Sequence, residues 1–454
     1  MQCWFGERMQ MQNNGEPFTM KEQKIRIGNY RYRILALVFM ATSINYFDRS
    51  IVAVMAPILQ KLFNWTNKDY AAIIVSFKIA YGIGLLFMGG VIDRLGTKSG
   101  YVISISIWSF FGMLHAAIKP AFSLPGFIVA RFGLGLGESG NFPAAIKTVA
   151  EWFPKKDRAF ATGIFDASTS VGAILAPFIV GAIVSADGKN WQIPFLFTGL
   201  LSSMWVLMWI KTYKKPEMHP RLSQQERAYI TSDSGEETIE KIKWIRLLPK
   251  KETWAFALTT ITDGVWWFYL FWGAKFLTEQ FHVNIENIGL PFLIIYIMAD
   301  TGSLLGGLAS GYFIRKGWTI NKARKITLLV SALFILPVVF VPVLTNKWTA
   351  VFLIGLAASG HQSWSINGYT LVSDVFPKKA VASVIGIGKM VGVGFAILAD
   401  ISLGAILDSA GVDGYIWAFL IAGFSYILLL GGVHLLMPRM TPLDDNLQYI
   451  TVKK

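Results

Sequence analysis

Apolar stretches long enough to cross a bilayer follow one another along almost the whole chain, separated by short polar turns. Twelve are readable: 34–59, 71–92, 100–118, 124–149, 159–184, 193–212, 254–278, 288–314, 326–345, 348–371, 382–407 and 414–437. Most approach or exceed the roughly 20 apolar residues that a helix needs to span hydrocarbon. One longer interruption, 213–253, is rich in Lys, Glu and Arg and divides the spans six and six. The pattern predicts an all-α membrane protein with 12 transmembrane helices in two six-helix halves. Those halves are 34–212 and 254–437, joined by a central loop over 213–253 and flanked by polar segments 1–33 and 438–454.

Composition supports this reading. The 454 residues are 54% apolar and 15% charged, against about 45–50% and about a quarter in soluble domains. So little charge on so apolar a chain also excludes disorder. The net charge of +14 would suggest nucleic acid in a soluble protein, but here the basic residues fall in alternate loops. Lys21, Lys24, Arg26, Arg31 and Arg33 precede the first span. Arg94 and Lys98, then Lys155, Lys156 and Arg158, the central loop, Arg315 to Lys325, and Lys378 and Lys379 continue the same side. The other side carries only Lys61, Lys68, Lys119, Lys189, Lys275 and Lys347. Basic loops stay in the cytoplasm. Both termini and the central loop are therefore expected on the cytoplasmic face of a cell membrane, the inner membrane in a bacterium. The charge then needs no nucleic-acid partner.

The single cysteine, Cys3, excludes an internal disulfide and a cysteine metal site, and the five histidines have no ligand spacing. Neither metal nor cofactor is expected, nor a catalytic constellation that would make the chain an enzyme. Met1 to Gly28 is polar, so no cleavable signal peptide is read there. An internal repeat is also visible. Glu151-Trp152-Phe153-Pro154-Lys155-Lys156 recurs as Asp374-Val375-Phe376-Pro377-Lys378-Lys379, an offset of 223, and an offset of 222 carries Gly89 onto Gly311. Two halves in the same orientation, related by an axis along the membrane normal, place a substrate site between them.

Specific motifs point to a family. Gly89-Gly90-Val91-Ile92-Asp93-Arg94-Leu95-Gly96-Thr97-Lys98 resembles the G-x-x-x-D-R-x-G-x-K signature of the major facilitator superfamily. Asn45-Tyr46-Phe47-Asp48-Arg49 is similar to the N-Y-x-D-R of its anion:cation symporters, and the run from Arg131 to Pro143 resembles the fourth helix of that group. Trp266 to Trp272, His361-Gln362 and Val372 to Phe376 look most like the hexuronate transporters. The resemblance implies the major facilitator fold, alternating access, and proton-coupled import of a sugar-acid anion by a monomer in the lipid bilayer. Galacturonate or glucuronate is the leading substrate. A galactonate-type sugar acid, another carboxylate or phosphate remains open, as does, with less support, a membrane sensor of such anions.

Ionisable residues are costly inside a bilayer, so each one in a span is a candidate for function. Asp48 and Arg49 are adjacent in the first span. Arg49 offers a fork of donors to a carboxylate. Arg131 and Glu138 lie two turns apart on one helix face and can exchange partners with the first pair; Arg131 has a structural alternative. Burial favours a neutral carboxylate and a neighbouring arginine an ionised one. Glu138 and Asp48 are thus the proton-coupling candidates, and an anion that draws an arginine away frees a carboxylate to take a proton.

The resemblance adds Tyr81 as a sugar contact, with Lys78 either beside it or snorkelling outward. Trp267 is a pocket residue by the same resemblance and a packing residue otherwise. His361, Gln362 and Asn367 offer hydrogen bonds to hydroxyls, or else bonds between helices. Lys389 departs from the family pattern. It can hold a carboxylate, or neutralise Asp300 or Asp400, and Asp166, Asp263 and Asp300 are further buried candidates. Asp93 and Arg94 are expected to gate the cytoplasmic side. Gly133-x-Gly135-x-Gly137-x-x-Gly140 mimics a nucleotide-binding loop, which needs a βαβ unit; in a spanning helix it predicts close helix approach instead.

Overall fold

A computed structural model describes residues 28–185, 187–232 and 242–450. The segment 1–27, with Cys3, Lys21, Lys24 and Arg26, lies outside the described residues, as do 233–241 and 451–454. The first half consists of α1 (Tyr30–Val54), α2 (Ala56–Phe63), α3 (Asn67–Leu114), α4 (Ser123–Glu138), α5 (Asn141–Trp152), α6 (Lys155–Ile183) and α7 (Ile193–Thr212). A short α8 (Gln224–Ile230) lies between the halves. The second half holds α9 (Lys251–Ile261), α10 (Asp263–Phe281), α11 (Gly289–Arg315), α12 (Ile320–Ile335), α13 (Lys347–Val375), α14 (Lys378–Ala410) and α15 (Tyr415–Leu436).

These helices fall on the twelve apolar stretches. The second and third stretches form the two arms of α3, which turns at Gly96, where φ is +78° and ψ 159°. Glycine reaches that conformation at little cost. A reciprocal cap opens α3: the Thr66 hydroxyl accepts from the Asp69 amide at 3.1 Å, and the Asp69 carboxylate accepts from the Thr66 amide at 2.9 Å, satisfying two first-turn donors. The first, fourth and seventh spans are each interrupted, at Met55, Ser139–Gly140 and Thr262. Glu138 closes α4 and Asp263 opens α10, so two candidate carboxylates sit at breaks in their spans, the arrangement from which transporters build midplane sites.

The inside of each half is aromatic and tightly packed. Trp108, Trp205 and Trp209 are buried and donate to Ser202, the Leu37 carbonyl and the Lys98 carbonyl, so each indole N–H keeps a partner. Leu86, Phe87, Phe110, Leu428 and Leu435 are exposed, as a lipid-facing surface requires. The α4 glycines do bring helices together. A Cβ on Gly135 would lie 2.5 Å from the Phe77 carbonyl oxygen, and one on Gly137 2.6 Å from the Trp108 nitrogen.

The halves are pinned asymmetrically. The Asn67 and Lys68 amides donate to Asp408 at 2.7 and 3.1 Å, and Tyr70 donates to the Phe271 carbonyl at 2.5 Å. Further in, Lys78 pairs with Asp400 and Ser170 donates to Asp300 at 2.8 Å. Among the described residues, all hydrogen bonds and ion pairs between the halves lie at mid-span or at the end away from the basic loops. At the basic end each half is braced separately. Glu151 accepts from Thr97 at 2.6 Å and from Tyr213; its repeat mate Asp374 accepts from Arg324 at 2.8 Å. Glu226 of α8 grips Arg31 at 3.0 Å through the backbone amide.

Candidate functional site

Where α1, α3, α4, α10 and α14 meet, the chain buries three cations and three carboxylates. Arg49 donates twice to one oxygen of Glu138, from Nε at 3.0 Å and Nη2 at 2.8 Å, with both side chains almost wholly buried. The rings of Tyr46, Phe77, Tyr81 and Trp267 surround the guanidinium at 4.6, 5.2, 4.9 and 5.8 Å. Aromatic faces attract a desolvated cation, so this cage lowers the cost of keeping Arg49 charged. Arg131 stacks over Phe77 at 4.7 Å and donates from Nη2 to the Arg49 carbonyl at 3.4 Å.

Several buried polar atoms here have no partner: Nε and Nη1 of Arg131, Oε1 of Glu138, Oδ2 of Asp48 and both amide atoms of Asn45. Such atoms are few in folded proteins. Their concentration on facing helices marks a place with bonding capacity to spare, which a bound anion or a proton can use. The pair itself is a competition site. A substrate carboxylate that takes the Arg49 fork must displace Glu138, leaving a buried carboxylate without its counter-charge, and that state favours protonation.

Lys78 lies one turn before Tyr81 on α3 but is fully buried and paired with Asp400 of the other half. Snorkelling is thereby overturned: Lys78 points into the contact between halves, where Asp400 and the faces of Trp267 and Phe271 at 4.9 and 5.1 Å receive it. Trp272 also donates to Asp400, at 3.1 Å.

A second cluster lies on the second half. Lys389 of α14 pairs with Asp263 at 2.7 Å, not with Asp300 or Asp400, because those carboxylates are engaged by Ser170 and Lys78. This pair is accessible, with side chains 38% and 15% exposed. Asp166 and Asp300 are also exposed, which corrects the expectation of buried carboxylates; Asp300 accepts from Ser170 of the other half. The repeat relates these charges. An offset of 223 carries Asp166 onto Lys389, and an offset of 222 carries Lys78 onto Asp300, so each half places opposite charges at matching positions.

Other candidates have different places. Trp267 joins the Arg49 cage, whereas Trp266 stacks on His361 at 5.5 Å. His361 is buried and bonds to the Tyr426 hydroxyl at 2.7 Å, so it supports Trp266 from behind. Gln362 is half-buried. Asn367 donates to the Gly306 and Ser363 carbonyls at 3.2 and 2.9 Å. It joins helices rather than lining the site, since these bonds use both its amide hydrogens. Asp93 pairs with Lys147 at 2.8 Å, inside one half, and Arg94 is exposed. Neither ties the halves together here; among the described residues no hydrogen bond or ion pair links them at the basic end.

Sequence reasoning missed Tyr46, Phe77, Phe271 and Trp272. In a chain that is 14% aromatic nothing distinguishes a cage residue from a packing one. Asp400 carried a signal, as an acid inside a span, but its partner could not be read from the linear order.

Known proteins similar to this chain are transporters. The family model described as Major Facilitator Superfamily matches residues 38–399. The chain is 31% identical over 393 residues to the hexuronate transporter of Escherichia coli (strain K12), covering 85% of this chain and 90% of that one. It is 31% identical over 343 residues to the galacturonate transporter of Dickeya chrysanthemi, covering 73% and 97%. Its fold matches a bacterial homolog of the human lysosomal transporter Spinster with a TM-score of 0.75 at 17% identity, over 90% of this chain and 98% of that one. Coverage of this extent, on a fold of twelve spans in two halves, means that the chain belongs to the major facilitator superfamily.

Proposed function

We propose that the chain is a proton-coupled symporter that imports a sugar-acid anion, with a hexuronate such as galacturonate or glucuronate as its substrate. The observation that carries this reading is the buried Arg49–Glu138 pair, with one Glu138 oxygen left unpartnered. Arg49 takes the substrate carboxylate, Glu138 is released and binds the proton, and Asp48 accepts or relays it beside Arg131. Tyr81 and Trp267 supply the ring faces and the hydroxyl contact that a pyranose needs. The names of the two relatives support the substrate class.

Alternating access follows from the pinning. With the halves tied by Lys78–Asp400 and by Asp408 on the α3 start, the site communicates with the basic end, which the distribution of Lys and Arg assigns to the cytoplasm. Rocking then requires those ties to break while new ones form at the basic end. In this reading the termini and the 213–253 loop are cytoplasmic, in a bacterial inner membrane, and the protein works as a monomer.

Uptake into proteoliposomes tests it. Labelled galacturonate is expected to accumulate under an inward proton gradient and to equilibrate without one. Failure to take it up under either condition removes the hexuronate, and accumulation indifferent to the gradient removes the symport.

A further inference from the structure

The Lys389–Asp263 pair forms a second subsite, apart from the Arg49–Glu138 pair. The geometry points to a device that reads the far end of the substrate and rejects a second carboxylate there. This rests on the sugar-acid reading.

Three residues of α10 set the spacing. Asp263, Trp266 and Trp267 stand at i, i+3 and i+4, so they share one face. Trp267 belongs to the cage around Arg49, at 5.8 Å, and Asp263 holds Lys389 at 2.7 Å. From Asp263 to Trp267 the helix rises roughly 6 Å, the length scale of a six-carbon sugar acid. A molecule with its carboxylate on Arg49 and its body along this face brings its other end to Lys389 and Asp263. Lys389 also lies over the Tyr369 ring at 5.1 Å.

The charge around this far end leans acidic. Lys389 is one ammonium. Asp263 on α10 holds it at 2.7 Å, Asp166 on α6 of the other half is near enough to interact electrostatically with it, and Asp300 of α11 accepts from Ser170, one turn along α6 from Asp166. An aldehyde or hydroxyl end finds both donor and acceptor in the Lys389–Asp263 pair. A carboxylate end meets an ammonium already neutralised, with further carboxylates behind it, and like charges brought together disfavour the wrong ligand. Lys389, with 38% of its side chain exposed, has room to adjust to the ligand.

The test compares two substrates with the same six carbons, galacturonate and its dicarboxylate counterpart galactarate, in proteoliposomes driven by a proton gradient. The wild-type protein is expected to favour galacturonate. Asp263→Asn leaves Lys389 as an unneutralised cation and should shift the uptake ratio toward galactarate by at least about tenfold, equivalent to ~1.4 kcal/mol. Asp166→Asn, at an exposed position outside the pair, should shift it the same way by less. Lys389→Gln should shift it toward galacturonate, and the Asp263→Asn/Lys389→Gln double variant should lie between. Wild-type preference for galactarate, or a ratio unmoved by both Asp263→Asn and Asp166→Asn, overturns the inference while leaving the symport reading intact. If the wild-type protein takes up neither acid, the sugar-acid reading fails, and this inference fails with it.

Discussion

Arg49 and Lys389 are both mid-span cations, each within 3 Å of a carboxylate, at 2.8 Å from Glu138 and 2.7 Å from Asp263. Their surroundings separate them. The first pair is sealed behind Tyr46, Phe77, Tyr81 and Trp267, while the second is partly exposed, Lys389 by 38% and Asp263 by 15%. Removing one charge of a sealed pair strands the other in a medium that cannot solvate it; removing one charge of an open pair leaves its partner to water. A buried pair therefore suits a switch with two protonation states, and an open pair suits the grading of ligands. The repeat does not relate these two cations, since Lys389 corresponds to Asp166; their burial decides what each can be used for.

The largest effect should come from Arg49→Ala. It removes the charged fork and strands Glu138; substrate affinity by isothermal titration should fall at least about 100-fold, as expected for truncating one member of a buried charge pair. Near-normal affinity would place the anion elsewhere and dissolve the contrast with Lys389. Glu138→Gln should keep counterflow exchange of substrate yet lose accumulation driven by the proton gradient.

The Lys78–Asp400 pair sharpens the comparison from another side, since it is sealed but joins the halves. Lys78→Met or Asp400→Asn alone should each cost about 3–5 kcal/mol of stability, the usual penalty for stranding a buried charge, with the double variant recovering much of it. Thermal unfolding in detergent reads this. A double-variant loss equal to the sum of the two single losses would mean that the two side chains act independently. The smallest effect is reserved for Asn367→Ala, which should lower stability by about 1 kcal/mol through lost helix-to-helix bonds with affinity within twofold of wild type. A large loss of affinity would return Asn367 to the substrate site.

Much of this is legible in the sequence alone. Hydropathy located the spans because most are long apolar runs, and the repeat announced two halves. Arg49 and Glu138 stood out because charge inside a bilayer is rare. The pairings were hidden. Lys78 meets Asp400 and Lys389 meets Asp263 across more than a hundred residues of chain, and helical periodicity orients a side chain only relative to its own helix. The breaks at Ser139–Gly140 and Thr262 were equally silent, since a broken span has the same hydropathy as a continuous one. Asn367 misled for a related reason: an amide inside a span reads the same whether it faces a sugar or a neighbouring carbonyl.

The central claim is that substrate and proton compete through one arginine. It is tested most directly by adding galacturonate to the purified protein in weakly buffered detergent solution and following pH. Proton uptake should track site occupancy in the wild-type protein and disappear in Glu138→Gln, although that variant still binds the sugar acid. Wild-type binding without proton uptake, or uptake undiminished in Glu138→Gln, would contradict it.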